Sequence, residues 1–326
     1  MDETDMTARS HRIAPPPLGR RHVLVGGLCL CCLPSLVRAE TAPGPLATEE
    51  VAPGIHIRRG VDQDANTDNQ DAIANIGFVI GREAVLVADP GGSLADGERL
   101  RAAIREKTAL PIRYVVMSHV HPDHIFGAGA FRQDDPVFVG HARLADALAQ
   151  RGSYYQRRLE EILGPGRAGP VVMPTMTVAD KAEIDLGGRA VALTAHGVAH
   201  TDNDLSLLDR LTGTLLPADL LFVKRIPSLD GSLKGWLQEL AALKATRAAR
   251  AVPGHGPTSV EWPGAAADQE RYLGTLLRET RQAVARNVGI EAAVTTVAAS
   301  ERGKWALFDD YNGRNVTMAY KELEWE

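Results

Sequence analysis

The sequence contains few cysteines, and all of them lie near its start. Only three occur among 326 residues, at Cys29, Cys31 and Cys32. They fall within a stretch that has the features of an export signal, so we expect no thiol and no disulfide in the exported chain. None of them follows the small residues that a lipoprotein signal requires, which argues against a lipid anchor.

The chain also lacks an excess of positive charge and a long apolar run. Its 36 Lys and Arg residues are outnumbered by 41 Asp and Glu residues, which gives a formal net charge of -5. No basic run is interleaved with aromatic residues, so we expect no nucleic-acid partner. The apolar stretch 23–33 has about half of the ~20 residues that span a bilayer. We therefore expect no membrane anchor in the mature chain.

Residues 1–39 have the features of a signal peptide. Arg20 and Arg21 precede the apolar stretch, and Val37-Arg38-Ala39 offers small or apolar residues where a signal peptidase reads the chain. The Arg pair followed by Val23 resembles a twin-arginine signal, although a Sec signal with a basic start has a similar pattern. We expect a periplasmic protein in which residues 40–50 form a linker.

Beyond the linker, short β-branched stretches alternate with helical patterns. Strands are predicted at 55–57, 75–80, 84–88, 112–117, 182–186, 190–194, 204–208, 214–216 and 251–252. Helices are predicted at 94–107, 144–163, 233–244 and 268–287. This α/β alternation favours two packed sheets with helices outside them. We divide the chain into a main domain, 51–262, and a C-terminal helical extension, 263–326.

Three of the eight histidines beyond residue 39 are close together. His119, His121 and His124 fall within six residues at the end of a predicted strand. A His-x-His-x-Asp-His run cannot bury four polar side chains without a common partner, and a metal ion supplies one. Imidazole nitrogen and carboxylate oxygen both suit Zn(II). In an extended loop His119 and His121 point to one side, which leaves Asp123 and His124 free to reach a second ion.

This run and three later residues resemble the metallo-β-lactamase superfamily. The later residues are His200 in AHTDN, Asp219 in PADL and His255 in PGHG. Over residues 51–262 the resemblance implies an αββα sandwich with its site at one edge between the sheets, followed here by a C-terminal helical appendage. Carried over by position, His119, His121 and His200 would hold one zinc ion, Asp123, His124 and His255 a second, and Asp219 would bridge them.

Two residues distinguish this chain from the most common antibiotic-hydrolysing members. Those proteins carry Cys where this chain has Asp219, and they lack a metal-binding His at the position of His124. The set resembles the glyoxalase II and lactonase branch. The stretches 219–236 and 315–326 are similar to exported quinoprotein-relay zinc metallohydrolases, which implies a periplasmic quinoprotein dehydrogenase or its cytochrome as a partner.

The resemblance implies a hydrolase of esters, thioesters, lactones or amides. Two zinc ions would share a water molecule and lower its pKa to give a hydroxide nucleophile, and iron or manganese would be a substitute. Asp123 would pass a proton to the leaving group, and Asn203 or Lys224 would stabilise the oxyanion. Asn203 is equally typical of a turn, and Lys224 of a solvated surface. Asp89 has two readings, an Asx turn or a carboxylate that orients the His run.

Two other classes of function stay open. Persulfide dioxygenases share this fold and bind one iron ion through positions that match His119, His200 and Asp219. A non-catalytic maturation factor for an exported quinoprotein would use the zinc site structurally. His196 is not expected to be a ligand, because the family's ligand is the His before Thr, here His200. The segments 62–70 and 154–176 are expected to line a cleft for a small-molecule substrate.

Overall fold

Two β-sheets pack against each other in the computed structural model, which describes residues 45–326. The predicted signal peptide and the first part of the linker lie outside the described residues. Apolar side chains from both sheets form one buried cluster, for example Ile57 and Val116 from the first sheet and Leu193 and Leu207 from the second. Successive residues of a strand point to opposite faces, so Leu86 and Ala88 lie in this cluster, whereas Val85 and Val87 lie in the cluster under the helices.

Seven strands form the first sheet, in the order of the chain. They are β1 (Glu49–Ala52), β2 (Ile55–Arg58), β3 (Ile76–Ile80), β4 (Val85–Ala88), β5 (Ile112–Val116), β6 (Val137–His141) and β7 (Met176–Val178). The first four pair antiparallel, and β4 to β7 pair parallel.

Five strands form the second sheet, in the order β12-β11-β10-β9-β8. They are β8 (Lys181–Asp185), β9 (Ala190–Ala195), β10 (Leu205–Asp209), β11 (Thr214–Phe222) and β12 (Arg250–His255). Only the β11–β12 pair is parallel among these.

Helices cover the outer face of each sheet. The helices are α1 (Leu94–Lys107), α2 (Pro122–Ile125), α3 (Leu144–Leu163), α4 (Leu233–Lys244), α5 (Ala267–Ala285), α6 (Ile290–Thr296) and α7 (Phe308–Leu323). Residues of α1 and α3 share a buried cluster with the first sheet, and residues of α4 to α7 share another with β11 and β12. The predicted αββα sandwich with C-terminal helices is therefore confirmed; the boundary at residue 263 stays a prediction. No helix within residues 45–326 has the length and apolar character needed to cross a bilayer.

The parallel strand pairs bring polar residues to one edge of the sandwich. In the first sheet, Asp89 follows β4 and His119 lies three residues beyond β5. In the second sheet, Asp219 lies near the end of β11, and His255 is the last residue of β12. Parallel strands end on the same side of a sheet, so these four residues meet although they are far apart in sequence.

The C-terminal helix α7 fixes the loop between β11 and α4. Asn315 Nδ2 donates to the Pro227 carbonyl at 2.7 Å, and Asn315 Oδ1 accepts from the Leu229 backbone N–H at 2.9 Å. Glu322 accepts from the Ser232 hydroxyl at 2.7 Å, at the N-terminus of α4. The loop that follows β11 is therefore held by the end of the chain.

Candidate metal centre

Three histidine nitrogens meet at one point in the first group of ligands. His200 Nε2 lies 2.9 Å from His121 Nδ1 and 3.2 Å from His119 Nε2, and the latter two atoms are 3.1 Å apart. Asp219 Oδ2 lies 3.5 Å from His200 Nε2 and 3.8 Å from His119 Nε2. Bonds of 2.0–2.1 Å in a tetrahedron place ligand atoms about 3.3 Å apart, so these four atoms fit one small cation.

Asp123, His124 and His255 form a second group beside the first. Asp123 Oδ2 lies 3.5 Å from His124 Nε2 and 3.3 Å from His255 Nε2. Asp219 contacts this group as well, with Oδ1 3.1 Å from His124 Nε2 and Oδ2 3.3 Å from His255 Nε2. One carboxylate therefore touches both groups, which is the arrangement of a bridging ligand.

The burial and the hydrogen bonds of the ligand atoms indicate whether a metal ion fits between them. His124 Nε2 and Asp219 Oδ1 are buried and 3.1 Å apart, but the angles between them do not suit a hydrogen bond, and neither atom has another hydrogen-bond partner among the described residues. A buried polar atom without a partner costs about 1–3 kcal/mol, and a cation between these atoms would remove that cost. A neutral imidazole has one N–H and one nitrogen lone pair. When several imidazoles turn their lone pairs toward one point, they cannot hydrogen-bond to each other, but all of them can bind one cation. The donor set therefore fits metal ions.

Each of the five histidines also has a partner for its other ring nitrogen. The partners are the Ser118 hydroxyl for His119 (3.0 Å), Asp230 for His121 (3.1 Å), Asp89 for His124 (2.8 Å), the Ser228 carbonyl for His200 (2.6 Å) and the Ile73 carbonyl for His255 (3.0 Å). Such partners fix the tautomer and the ring orientation of metal-binding histidines. The site is thus held in a geometry ready for metal.

Asp89 orients the His run, which was one of the two interpretations of this residue in the sequence analysis. Its carboxylate accepts from the Ser118 backbone N–H at 2.8 Å and from the Ser118 hydroxyl at 2.9 Å, and it pairs with His124 Nδ1. The backbone φ of 56° places Asp89 in the left-handed region, which Asp tolerates better than most residues. Burial would lower the pKa of His124, but the carboxylates of Asp219, Asp123 and Asp89 raise it well above its usual value.

Changing Asp89 to Asn should weaken metal binding in the second group. The amide keeps the shape but loses the charge and one acceptor oxygen, so His124 loses the partner that orients it. We expect a 10- to 100-fold loss of zinc affinity, the usual effect of removing such a partner, measured by competition with a chromophoric chelator. The exposed Asp180 offers a control: Asp180→Asn should leave the affinity unchanged. Equal affinities for the two variants would contradict the role of Asp89.

Electrostatics keep the first group suited to binding cations. Burial, together with the neighbouring His121, lowers the pKa of His200 to about 3. Burial and the nearby His124 lower the pKa of His119 well below its usual value. Burial would raise the pKa of Asp219, but His255 and His124 hold it well below the ordinary range. Neutral imidazoles and an ionised carboxylate are the protonation states that metal ligation requires.

Asp230 belongs to the site, although its position in the sequence gave no sign of this. Its carboxylate contacts His121 Nε2 across 109 residues of chain and accepts a hydrogen bond from Arg151 on α3. Burial would raise the pKa of Asp230, but His121 and Arg151 lower it to about 2. An ionised Asp230 therefore orients His121 and ties it to α3.

The three predicted catalytic residues lie in different places. Asp123 lines the cleft over the metal groups. Asn203 is buried after His200, where its side chain donates to Asp202 at 2.7 Å, and it is not among the residues that line the cleft.

Lys224 is exposed and, within the described part of the chain, does not line the cleft. Its φ of 68° marks a change of chain direction after β11, and the next residue, Arg225, is the one that is buried in the cleft wall. The structure therefore does not bring Lys224 to the site. The basic side chain that reaches the cleft wall from this part of the chain is that of Arg225.

His196 lies outside both ligand groups. Its nitrogens pair with Glu239 and Ser206, each at 2.8 Å, on the outer side of the second sheet. A histidine with both nitrogens satisfied needs no metal, which agrees with its exclusion from the predicted ligands.

An open cleft of about 500 Å³ lies over the two ligand groups. Both predicted segments contribute to it, the first with Asp64 and Ala65 and the second with four residues of α3. The helix α7 supplies a further wall, with Tyr311 and Arg314, that the sequence analysis did not foresee. The metal groups are thus open to a small molecule through this cleft, where side chains from distant parts of the chain meet.

The two packed sheets and the two adjacent groups of ligand atoms are typical of metallohydrolases. The chain belongs to the metallo-beta-lactamase superfamily, whose family model matches residues 70–255.

Individual relatives are more distant. The linear primary-alkylsulfatase of Pseudomonas sp. (strain ATCC 19151) is 26% identical over an alignment of 241 residues, and the match covers 62% of this chain and 44% of the sulfatase. This chain therefore spans less than half of that relative's length.

Solved structures share the fold at low identity. A metallo-beta-lactamase from Pontibacter korlensis has a TM-score of 0.58 and 18% identity, over 70% of this chain and 99% of that protein. A structure of TMB-1 has a TM-score of 0.56 and 16% identity, over 71% of this chain and 98% of that protein. At such identities these likenesses support the fold alone.

Proposed function

We propose that this protein is an exported hydrolase that binds two zinc ions and cleaves an ester, thioester, lactone or amide. The observation that carries the proposal is the position of Asp219, whose two oxygens contact both groups of ligand atoms. A carboxylate shared in this way is typical of two-metal hydrolytic sites. The metal set resembles that of the glyoxalase II branch.

The residues of the chain would divide the work of hydrolysis among them. When bound, the zinc ions supply Lewis acidity and a hydroxide at neutral pH. Asp123 lines the cleft, so we assign to its carboxylate the transfer of a proton to the leaving group. Asp219 is less suited to that role, because its contacts with both groups hold it more firmly. The buried Asp89 and Asp230 keep His124 and His121 in place during the reaction.

The sulfate ester is a further type of bond that we propose to test. The name of the alkylsulfatase relative indicates that it acts on sulfate esters, so we include sulfate ester hydrolysis among the activities to be tested. The periplasmic location and a quinoprotein dehydrogenase or its cytochrome as partner are proposals as well. They are supported by the pattern of residues 1–39 and by the resemblance of 219–236 and 315–326 to quinoprotein-relay zinc metallohydrolases.

The test is an activity panel on protein purified without added metal. We expect hydrolysis of at least one of a thioester, a lactone, nitrocefin and 4-nitrophenyl sulfate, lost on dialysis against a chelator and restored by zinc. A protein with two bound zinc ions that cleaves none of them would favour the maturation factor. A single iron ion with persulfide oxidation would overturn the hydrolase. The alternative with one iron ion uses only His119, His200 and Asp219, and it leaves the second group of ligand atoms without a role.

A further inference from the structure

The α7 side of the cleft carries two guanidinium groups around one aromatic ring. The Arg314 guanidinium lies 5.0 Å from the centre of the Tyr311 ring, and the Arg225 guanidinium lies 5.6 Å from it. All three residues line the cleft over the metal groups. Guanidinium groups stack favourably on aromatic faces, so Tyr311 holds two positive charges in one place.

Only one of these two charges has a partner. Arg225 is buried, donates to the Gln63 carbonyl at 2.9 Å and lies 3.6 Å from the Asp64 carboxylate. Tyr311 Oη donates to the same Asp64 at 2.5 Å. Arg314 is exposed, and within residues 45–326 no carboxylate forms an ion pair with it. The stacked pair therefore presents one uncompensated positive charge to the cleft.

The remaining carboxylates of the cleft do not neutralise Arg314. Asp123 and Asp219 belong to the metal groups. Asp71 is buried, and within residues 45–326 it forms no ion pair with Arg314. The α7 side of the cleft is thus suited to an anion.

A second wall of the cleft is largely apolar. It is formed by α3, which contributes Tyr155, Leu159 and Ile162. Ile162 is 39% exposed, which is high for a large aliphatic side chain. The one charged residue of this wall, Arg158, already has Glu161 as its partner. An apolar segment of a ligand would cover Ile162 and exclude water from it.

We propose that Arg314, stacked on Tyr311, binds a negatively charged group of the substrate, while the α3 wall binds an apolar segment. The substrate is accordingly an amphiphilic anion, with a carboxylate, sulfonate or sulfate at one end. This inference rests on the proposed hydrolase function, because it names the substrate class of the same cleft. Arginine is well suited to the task, since its planar fork matches two oxygens of such a group.

Binding of octane-1-sulfonate tests the proposal without any hydrolysis. Titration calorimetry on the zinc-loaded protein should show that Arg314→Gln weakens binding about tenfold, the usual scale for a charge-assisted hydrogen bond. Lys321→Gln removes the same charge from an exposed position of α7 outside the cleft, and should change binding less than twofold. Arg314→Lys keeps the charge but loses the fork, and should bind with an intermediate affinity. Equal affinities for the Gln variants, or no binding by the natural protein, would overturn the subsite.

A pair of esters tests the same subsite during turnover. Mono(4-nitrophenyl) glutarate carries a carboxylate, and 4-nitrophenyl butyrate carries none. We expect Arg314→Gln to lower kcat/KM about tenfold for the glutarate and less than twofold for the butyrate. An equal loss for both esters would contradict an anion subsite. If neither ester is hydrolysed, the proposed function loses support on this ester chemistry, while the octane-1-sulfonate titration still decides the subsite by itself.

Discussion

Replacing His121 by Ala is expected to abolish hydrolysis and to remove metal from the first group. His121 Nδ1 lies within 3.1 Å of the ligand nitrogens of His119 and His200, so its loss opens one side of the group. Removing an orienting partner already costs 10- to 100-fold in affinity or activity, and a direct ligand should cost more, on the order of 10³-fold in kcat/KM. The measurements are kcat/KM on the best substrate of the panel and the metal content of the purified variant.

The natural control for this variant is His196→Ala. His196 is buried, but it pairs with Glu239 and Ser206 outside both groups. The control should lose some stability and keep its full complement of metal. If His121→Ala retained full activity and metal content, the assignment of the first group would be wrong.

Replacing Trp236 by Ala should have the largest effect on stability. Trp236 on α4 is fully buried, its ring centre lies 5.2 Å from that of His200, and its indole N–H donates to the Leu220 carbonyl at 3.1 Å. Substitution leaves a cavity against β11 and removes one of the two hydrogen bonds to the Leu220 carbonyl, which still accepts from Gln269 Nε2 at 2.8 Å. We expect a loss of about 3–5 kcal/mol in the free energy of unfolding, measured by denaturant titration.

Trp325→Ala removes the same side chain from an exposed position. Trp325 is 87% exposed, so its loss should change the free energy of unfolding by less than about 0.5 kcal/mol. A loss below about 1 kcal/mol for Trp236→Ala would show that α4 contributes little to the support of the His200 side of the site.

Local patterns predicted the regular elements and the ligands that are adjacent in sequence. The helices expected at 94–107, 144–163 and 233–244 have those bounds in the structure, because each is long and has one apolar face. The helix expected at 268–287 is observed at Ala267–Ala285. The strands β1, β6 and β7 were missed. The strand β1 begins with Glu49 and Glu50, and β7 has only three residues, so neither shows an alternation of apolar residues.

The His run also differs from the extended loop that was expected. Pro122 starts a single helical turn, α2, and His121 is its N-terminal cap residue. Proline favours the first position of a helix, because its fixed φ suits the helix and its missing N–H would have no partner there. The run therefore changes from loop to helix at His121, and Asp123 and His124 reach the second group from the helical turn.

Contacts between distant parts of the chain could not be predicted. Asp230 touches His121 over 109 residues, and the Tyr311 hydroxyl touches Asp64 over 247 residues. Such pairs depend on how loops and helices pack, which no local pattern encodes. The same reason explains Lys224 and Arg225: a left-handed residue at the end of a strand decides which of the two enters the cleft. The resemblance to a family located the metal set, and the fold was needed to find the residues that support it.

Anomalous X-ray diffraction at the zinc absorption edge is the most direct test of the two-metal site. We expect two peaks in crystals of protein purified without added metal. One peak should lie among His119, His121 and His200, the other among Asp123, His124 and His255, and Asp219 should contact both. A single peak, or a signal at the iron edge instead of the zinc edge, would contradict the two-zinc hydrolase.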